Sequence, residues 1–346
     1  MSPVAALERI AFLLERSLAP TYRAKAFRTA ASVVAGLPAD EVARRVSAGS
    51  LAKVKGIGPK TAQVVEEAYR GRVPAYLVRV TEESGGPLVD GGTELRRRLR
   101  GDCHLHSDWS DGGSPIREMA GTAAALGHDW AVLTDHSPRL TVARGLSAER
   151  LRDQRAELAA LAASWAPFRL LSGIECDILD EGSLDQESEL LDELDLVVVS
   201  VHSKLRMDAG AMTRRMVTAV RDPRSDVLGH CTGRLLGDPG RPESAFDADE
   251  VFAACAETGT AVEINCRPER LDPPRRLLRR AVAAGTLFSI DTDAHAPGQL
   301  DWQPYGCARA EECGVPVERI INTWTADELM AWAGTRRTPS RTDART

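Results

Sequence analysis

The chain has 346 residues, 43% of them hydrophobic and 27% charged, a length that suits one large domain with a smaller companion rather than one simple fold. No apolar run reaches the roughly 18 residues of a membrane span, the first twenty residues lack a basic start and a small-residue cleavage site, and the seven cysteines form no C-x-x-C pair. These features exclude a spanning segment, a disulfide framework and a zinc ribbon, and they lead us to expect a cytoplasmic protein with reduced, structural thiols. The net charge of −6 is unevenly spread: residues 1–80 hold 13 Lys and Arg against 6 Asp and Glu, a surplus of seven, which leaves the remainder at −13. Such asymmetry fits a polyanion-binding part beside a cation-collecting part, and it equally fits two ordinary solvated surfaces.

In chain order, "PVAALERIAFLLERS" places Ala6, Ile10, Leu13 and Leu14 on one helical face, "TYRAKAFRTAASVVAGL" reads as a second helix ending at Gly36, and "ADEVARRVSAG" as a third. Then "LAKVKGIGPKTAQVVEEAYRGR" sets the tight turn Gly56-Ile57-Gly58 just before a helix opened by Pro59 and Lys60. Glycines at such a turn let backbone N–H groups approach a phosphate at the positive end of a helix. Lys53, Lys55 and Lys60, three of the chain's five lysines, flank it, which points to sequence-independent contact with DNA phosphates by Lys53, Lys55, Gly56, Gly58 and Lys60. The segment resembles a helix-hairpin-helix, and residues 4 to about 78 resemble the N-terminal domain of family X DNA polymerases. By that comparison the lyase lysine of animal relatives falls at or next to Val64, so lyase chemistry has no obvious carrier.

The polar stretch "EESGGPLVDGG" reads as a linker, giving a helical domain over 1–80, a linker over 81–100, a larger domain over 101–333 and a disordered tail over 334–346. In the larger domain, short β-branched runs alternate with Ala- and Leu-rich helical stretches, the pattern of βα units around a parallel sheet or barrel. Seven candidate strands are "GDCHLH", "WAVLTDH", "RLLSGIE", "LDLVVVSVH", "SDVLGH", "TAVEIN" and "TLFSIDTDAH". Six of them close on or just before His104 and His106, Asp135 and His136, Glu175, His202, His230, or Asp293 and His295. Carboxyl ends of strands in such folds converge on one face. Neutral imidazoles and carboxylates gathered there suit Zn, Mn or Fe, and Asp111, in the "SDGG" turn, can return a carboxylate to the same cluster. His128, in "LGHDW" before its strand, lacks this placement and reads as a core histidine. Asp135 reads as a partner that orients His136 or a neighbour, and Cys103 and Cys176 should turn away from the site by strand alternation.

The ordered set "CHLHSDWSDG", "LTDHS", "GIE", "SVHS", "LGHCTGRLL", "EINCRPERLD" and "DTDAH" resembles the motifs of the PHP (polymerase and histidinol phosphatase) superfamily, in the version fused to bacterial family X polymerases. The resemblance spans about residues 100–332. It implies an α/β fold, a distorted (β/α)7 barrel behind a small all-α helix-hairpin-helix domain, holding two to three ions of Mn²⁺ or Zn²⁺, with iron as a further candidate. It also implies ligand positions at His104, His106, Asp111, His136, Glu175, His202, His230, Asp293 and His295, all present here. Only about twenty residues stand where those polymerases carry fingers, palm and thumb, so nucleotide addition is excluded. Neighbouring ions make phosphoester hydrolysis the expected chemistry, with Arg234, Arg270, Lys204 and Arg206 as candidate phosphate contacts. The leading reading is DNA 3′-end trimming by a 3′–5′ exonuclease or 3′-end-processing enzyme in repair, with DNA held by the N-terminal domain. A small-molecule phosphomonoesterase of nucleotide or histidinol phosphate type and a non-catalytic, metal-stabilised DNA-binding adaptor are the alternatives. Protein partners are not legible.

Overall fold

The computed structural model describes residues 1–337; the part of the expected tail from 338 to 346 lies outside the described residues. Residues 334–337 belong instead to the last helix. There Arg336 and Arg337 reach the buried Asp226 carboxylate at 3.1 and 2.6 Å, which anchors that turn. The described chain divides into two compact units, Met1–Leu88 with the short segment Pro297–Gln299, and Val89–Ala296 continued from Leu300 on. Among the described residues, no helix is long and apolar enough to cross a membrane.

The first unit is helical: α1 (Pro3–Arg16), α2 (Thr21–Gly36), α3 (Ala39–Ser47), α4 (Pro59–Tyr69) and α5 (Ala75–Ser84). Ser2 caps α1 by accepting from the Ala5 N–H at 3.1 Å, and Pro3 takes the first helical position, where its missing N–H costs nothing. The apolar face expected of α1 is buried in one core with Phe27, Val34, Val64 and Val65. Helix α5 adds Leu77 and Val80 to that core and continues to Ser84, so the helical unit runs past residue 80. The expected linker is also shortened from its other end by α6 (Thr93–Arg98), so the stretch without regular structure is Gly85–Gly92.

The second unit alternates strands and helices: β1 (Gly101–Leu105), α7 (Ile116–Ala125), β2 (Trp130–Leu133), α8 (Ala148–Ala162), β3 (Arg169–Asp177), α9 (Ser188–Asp192) and β4 (Leu196–Ser200), then α10 (Ala209–Val220), β5 (Val227–Leu228), α11 (Ala248–Thr258), β6 (Ala261–Asn265), α12 (Arg275–Ala284), β7 (Leu287–Asp291), α13 (Gln303–Cys313) and α14 (Ala326–Arg337). All seven strands are parallel in the order β1 to β7. A bridge between Leu105 and Ala294, with the His106 N–H donating to the Ala294 carbonyl at 2.8 Å, brings the first and last strands together into a nearly closed barrel. That is the (β/α)7 architecture expected from the sequence.

Residues two apart on a strand share a face, and along that face the chemistry changes from one end of the barrel to the other. Leu171, Gly173 and Glu175 follow one another on β3, and Ala261, Glu263 and Asn265 on β6. The amino-end positions join Trp130, Val132, Val198 and Val227 in an apolar floor against Ala326 and Leu329 of α14. The carboxyl ends carry the titratable groups. Cys103 packs in the same apolar floor; the register of β1 on β2 shifts between Asp102 and Leu105, so simple alternation fails there.

Candidate metal centre

Each candidate ligand is delivered by the end of a strand or the turn beyond it. His104 lies on β1 and Glu175 on β3, while His106, His136, His202, His230, Asp293 and His295 follow β1, β2, β4, β5 and β7. Asp111 arrives on the turn after β1, which Asp135 pins by accepting from Ser107 N at 2.8 Å, Ser107 Oγ at 2.6 Å and Ser110 Oγ. The orienting role expected of Asp135 is thus directed at this turn. Gly112 is required there, since a Cβ would sit 2.6 Å from the Ser107 carbonyl oxygen.

The groups converge around Glu175. Its Oε2 lies 3.3 Å from His104 Nε2, 3.7 Å from His106 Nε2 and 2.8 Å from His136 Nδ1, and its Oε1 lies 3.1 Å from His202 Nε2 and 2.8 Å from His230 Nε2. Asp111 Oδ1 is 3.4 Å from both His136 Nε2 and His295 Nε2, and Asp293 Oδ1 is 3.4 Å from His106 Nε2. Three overlapping sets, His106-Asp111-His136-His295, His104-His106-Glu175 and His136-Glu175-His202, each bring their ligand atoms within 4.8 Å of one another.

Electrostatics and hydrogen bonding fit cations here. Burial raises the Glu175 carboxyl, but the imidazoles of His202, His104 and His136 together hold it well below the usual carboxylate range. Burial, then His295 and His136, pushes His106 well down, and burial, then Arg270, pushes His230 down to about 4. Burial opposes protonation of His136 too, yet Glu175 and Asp111 carry it up to about 10. Buried polar atoms are ordinarily hydrogen-bonded, whereas His104 Nε2, both nitrogens of His106 and Glu175 Oε2 are buried and, despite their close neighbours, make no well-aligned hydrogen bond. Divalent ions would satisfy these atoms and displace the imidazole protons.

Glu263 escaped the sequence reading because "TAVEIN" closes on asparagine. It is fully buried, its Oε1 lies 2.6 Å from His104 Nδ1, and it accepts from the His230 N–H at 2.5 Å. Holding Nδ1 fixes the ring so that Nε2 faces the cluster. Glu263→Gln is therefore expected to weaken metal affinity by about 10- to 100-fold, measured by calorimetric titration of the intact chain with Mn²⁺.

The expected phosphate contacts divide. Arg270 lines the cavity over the cluster, with Nε 3.2 Å from Asp293 Oδ2. Arg234 does not: its Nε donates to the Arg270 carbonyl at 2.9 Å and its Nη2 to that of Leu271, so the guanidinium braces a loop. Lys204, at φ 51°, is turned outward onto the exposed side of Asp180, and the exposed Arg206 is not among the residues lining the cavity. Arg241 and Arg267, which the sequence reading missed, line the cavity beside Arg270.

His128 stands apart from the cluster, as expected, with Nε2 3.2 Å from Arg96 Nη2 and 3.1 Å from Gln303 Oε1. Burial, then Arg96, lowers it from 6.5 to about 3. An unfolded chain takes up this proton first, so the stability His128 contributes is present above about pH 6.5 and lost as pH falls toward 3, at about 1.4 kcal/mol per pH unit. Between pH 7 and pH 5 the native chain should lose about 2 kcal/mol more than a His128→Asn variant in urea unfolding.

In the helical unit Lys53, Lys55 and Lys60 are exposed around the turn. Gly56 has φ 91°, and a Cβ there would meet Val33 Cγ2 at 3.0 Å, so glycine is needed. The Gly58 N–H donates to Thr61 Oγ1 at 2.9 Å, a bond within the hairpin itself. The N–H groups of Lys60 and Thr61, in the first turn of α4, have no partner within the helix. Val64, the position compared with a lyase lysine, is buried in the core.

Residues 102–267 match the family described as PHP domain, and residues 2–72 the family described as helix-hairpin-helix domain. Over 235 residues the chain is 37% identical to the DNA polymerase/3′-5′ exonuclease PolX of Bacillus subtilis (strain 168), covering 68% of this chain and 41% of that protein. The chain thus spans about two fifths of that relative's length. A probable phosphatase of Syntrophotalea carbinolica is 27% identical over 232 residues, covering 64% of this chain and 90% of its own. Among solved structures, histidinol phosphate phosphatase from Lactococcus lactis, complexed with zinc, L-histidinol and phosphate, matches with a TM-score of 0.45 at 19% identity, covering 62% of this chain and 94% of that one.

Proposed function

We propose that this chain, a metal-dependent phosphoesterase carrying a PHP domain behind a helix-hairpin-helix domain, hydrolyses phosphodiester bonds at DNA 3′ ends. The observation that carries the reading is the crowd of imidazoles and carboxylates around Glu175, with buried nitrogen and oxygen atoms at its centre that make no well-aligned hydrogen bond. His104, His106, Asp111, His136, Glu175, His202, His230, Asp293 and His295 would hold two to three ions of Mn²⁺ or Zn²⁺, with iron as a further candidate, through N and O donors that suit these metals. When bound, such ions supply water activation near neutral pH and charge neutralisation on the phosphoryl oxygens.

The protein's own groups do the rest. Arg241, Arg267 and Arg270 face the cavity and orient the phosphate through paired N–H donors. Glu263 holds the His104 ring, and Asp135 holds the turn that presents Asp111. Lys53, Lys55 and Lys60 hold the DNA backbone without reading its sequence, with the hairpin turn at Gly56 and Gly58 bringing them together. The polymerase and exonuclease named for the Bacillus relative favours DNA as substrate. The match to a probable phosphatase, which covers 90% of that protein, favours phosphatase chemistry, and with it a phosphomonoester as the second reading. Polarity is tested with a 5′-labelled single strand, loaded with Mn²⁺-bound protein, whose last 3′ linkage is either natural or a phosphorothioate. The natural strand should shorten and the protected one persist; equal shortening of both rejects attack from the 3′ end.

A further inference from the structure

The cavity over the cluster, about 310 Å³, has two chemically distinct kinds of lining. One kind is ionic, with Arg267 and Arg270 against Asp293 at 3.7 and 3.2 Å. Its apolar lining is Leu140 and Val142 from the loop after β2 and Leu235 from the loop after β5. Val142 is 90% exposed, so it stands where the lining meets solvent. Single exposed hydrophobics are ordinary on a protein surface; this one shares the lining of a site with Leu140 and with Leu235 of a second loop.

Both loops are held in place. On one side the Leu146 N–H donates to the His136 carbonyl at 2.7 Å, and Arg150 Nη1 donates to the Arg144 carbonyl at 2.6 Å. On the other, Leu235 and Arg241 exchange two backbone hydrogen bonds of 2.9 Å, which set an apolar and a cationic side chain next to each other. A ligand matching this lining has an anionic head and an apolar body, within a volume at the small end of ligand pockets. A terminal nucleotide has both parts, a phosphate and a base.

We propose that Leu140, Val142 and Leu235 form an apolar lip that holds the base of a terminal nucleotide whose phosphate lies against Arg241, Arg267 and Arg270. The proposal deepens the phosphoesterase reading and rests on it, naming a base-bearing strand end as the substrate class. The lip takes any base, since it offers apolar contact and no hydrogen-bonding pattern.

The test uses the intact, Mn²⁺-loaded chain and two non-hydrolysable probes: the methylene phosphonate analogue of thymidine 5′-monophosphate, and the same analogue of 2-deoxyribose 5-phosphate, which lacks the base. Calorimetry should show the base-bearing probe binding at least fivefold tighter than the abasic one. Val142→Ser and Leu235→Ser should each reduce that preference severalfold and leave affinity for the abasic probe unchanged. Because Val142 is exposed, its variant should fold as the native chain does, checked by an unchanged thermal midpoint. Equal affinity for the two probes, or a preference that survives both substitutions, overturns the lip while leaving the phosphoesterase reading intact. Failure of both probes to bind a metal-loaded chain overturns both together.

Discussion

His104→Ala and Asp293→Ala each lose bound metal and phosphodiester hydrolysis together. Both side chains sit in the crowd around Glu175 and His106, with His104 Nε2 3.3 Å from Glu175 Oε2 and Asp293 Oδ1 3.4 Å from His106 Nε2. Removing either leaves buried groups whose charge or lone pairs have lost a partner, and too few ligands remain to retain the ion. An ion's contribution to charge stabilisation is several kcal/mol, so turnover should fall by roughly three orders of magnitude. Elemental analysis of the purified variants should show the metal content falling alongside the rate. Chelation of the native chain should also lower its thermal midpoint, because ions that bind the folded state alone stabilise it. A variant with full metal content and no activity would assign these residues to another step; full activity would remove them from the site.

The second large effect belongs to the helical unit. Lys53, Lys55 and Lys60 are exposed around one turn, and each phosphate neutralised by a lysine contributes about 0.9 to the slope of log affinity against log salt on duplex DNA. Replacing all three by alanine should lower that slope by up to about 2.7 and weaken binding at low salt by more than tenfold. Hydrolysis of a small chromogenic phosphodiester should remain within twofold of the native rate, since an ester of that size needs no contact with the hairpin. Fluorescence anisotropy with duplex DNA at several salt concentrations measures the slope. A slope unchanged in the triple variant would place the DNA contact elsewhere on the chain.

Much of the site was legible because a parallel barrel imposes a rule that survives in one dimension: strands end where chemistry begins. His104, His136, Glu175, His202, His230 and Asp293 obey it, and so they stand out as titratable residues closing apolar runs. Glu263 did not stand out, although a glutamate inside a fully buried strand is the signal that would have found it. The arginines were harder. Arg234 and Lys204 follow strand ends as Arg270 does, but loop geometry decides where a long side chain goes, and backbone carbonyls captured one and Asp180 the other. Arg241 reaches the cavity because its loop folds back on Leu235, a pairing between residues that no periodicity announces. Element ends are hard to read for a similar reason: α5 packs through Leu77 and Val80, and the end of α14 is held by the Asp226 carboxylate, which are tertiary partners.

The most direct test of the account is a side-by-side turnover measurement on the intact, Mn²⁺-loaded chain, with end-labelled single-stranded DNA on one side and nucleoside monophosphates and histidinol phosphate on the other. The account predicts that the DNA is shortened stepwise with release of mononucleotides, at a kcat/KM well above that for any of the phosphomonoesters. DNA left intact while a small phosphomonoester is rapidly dephosphorylated would contradict it and give the metal centre to small-molecule chemistry.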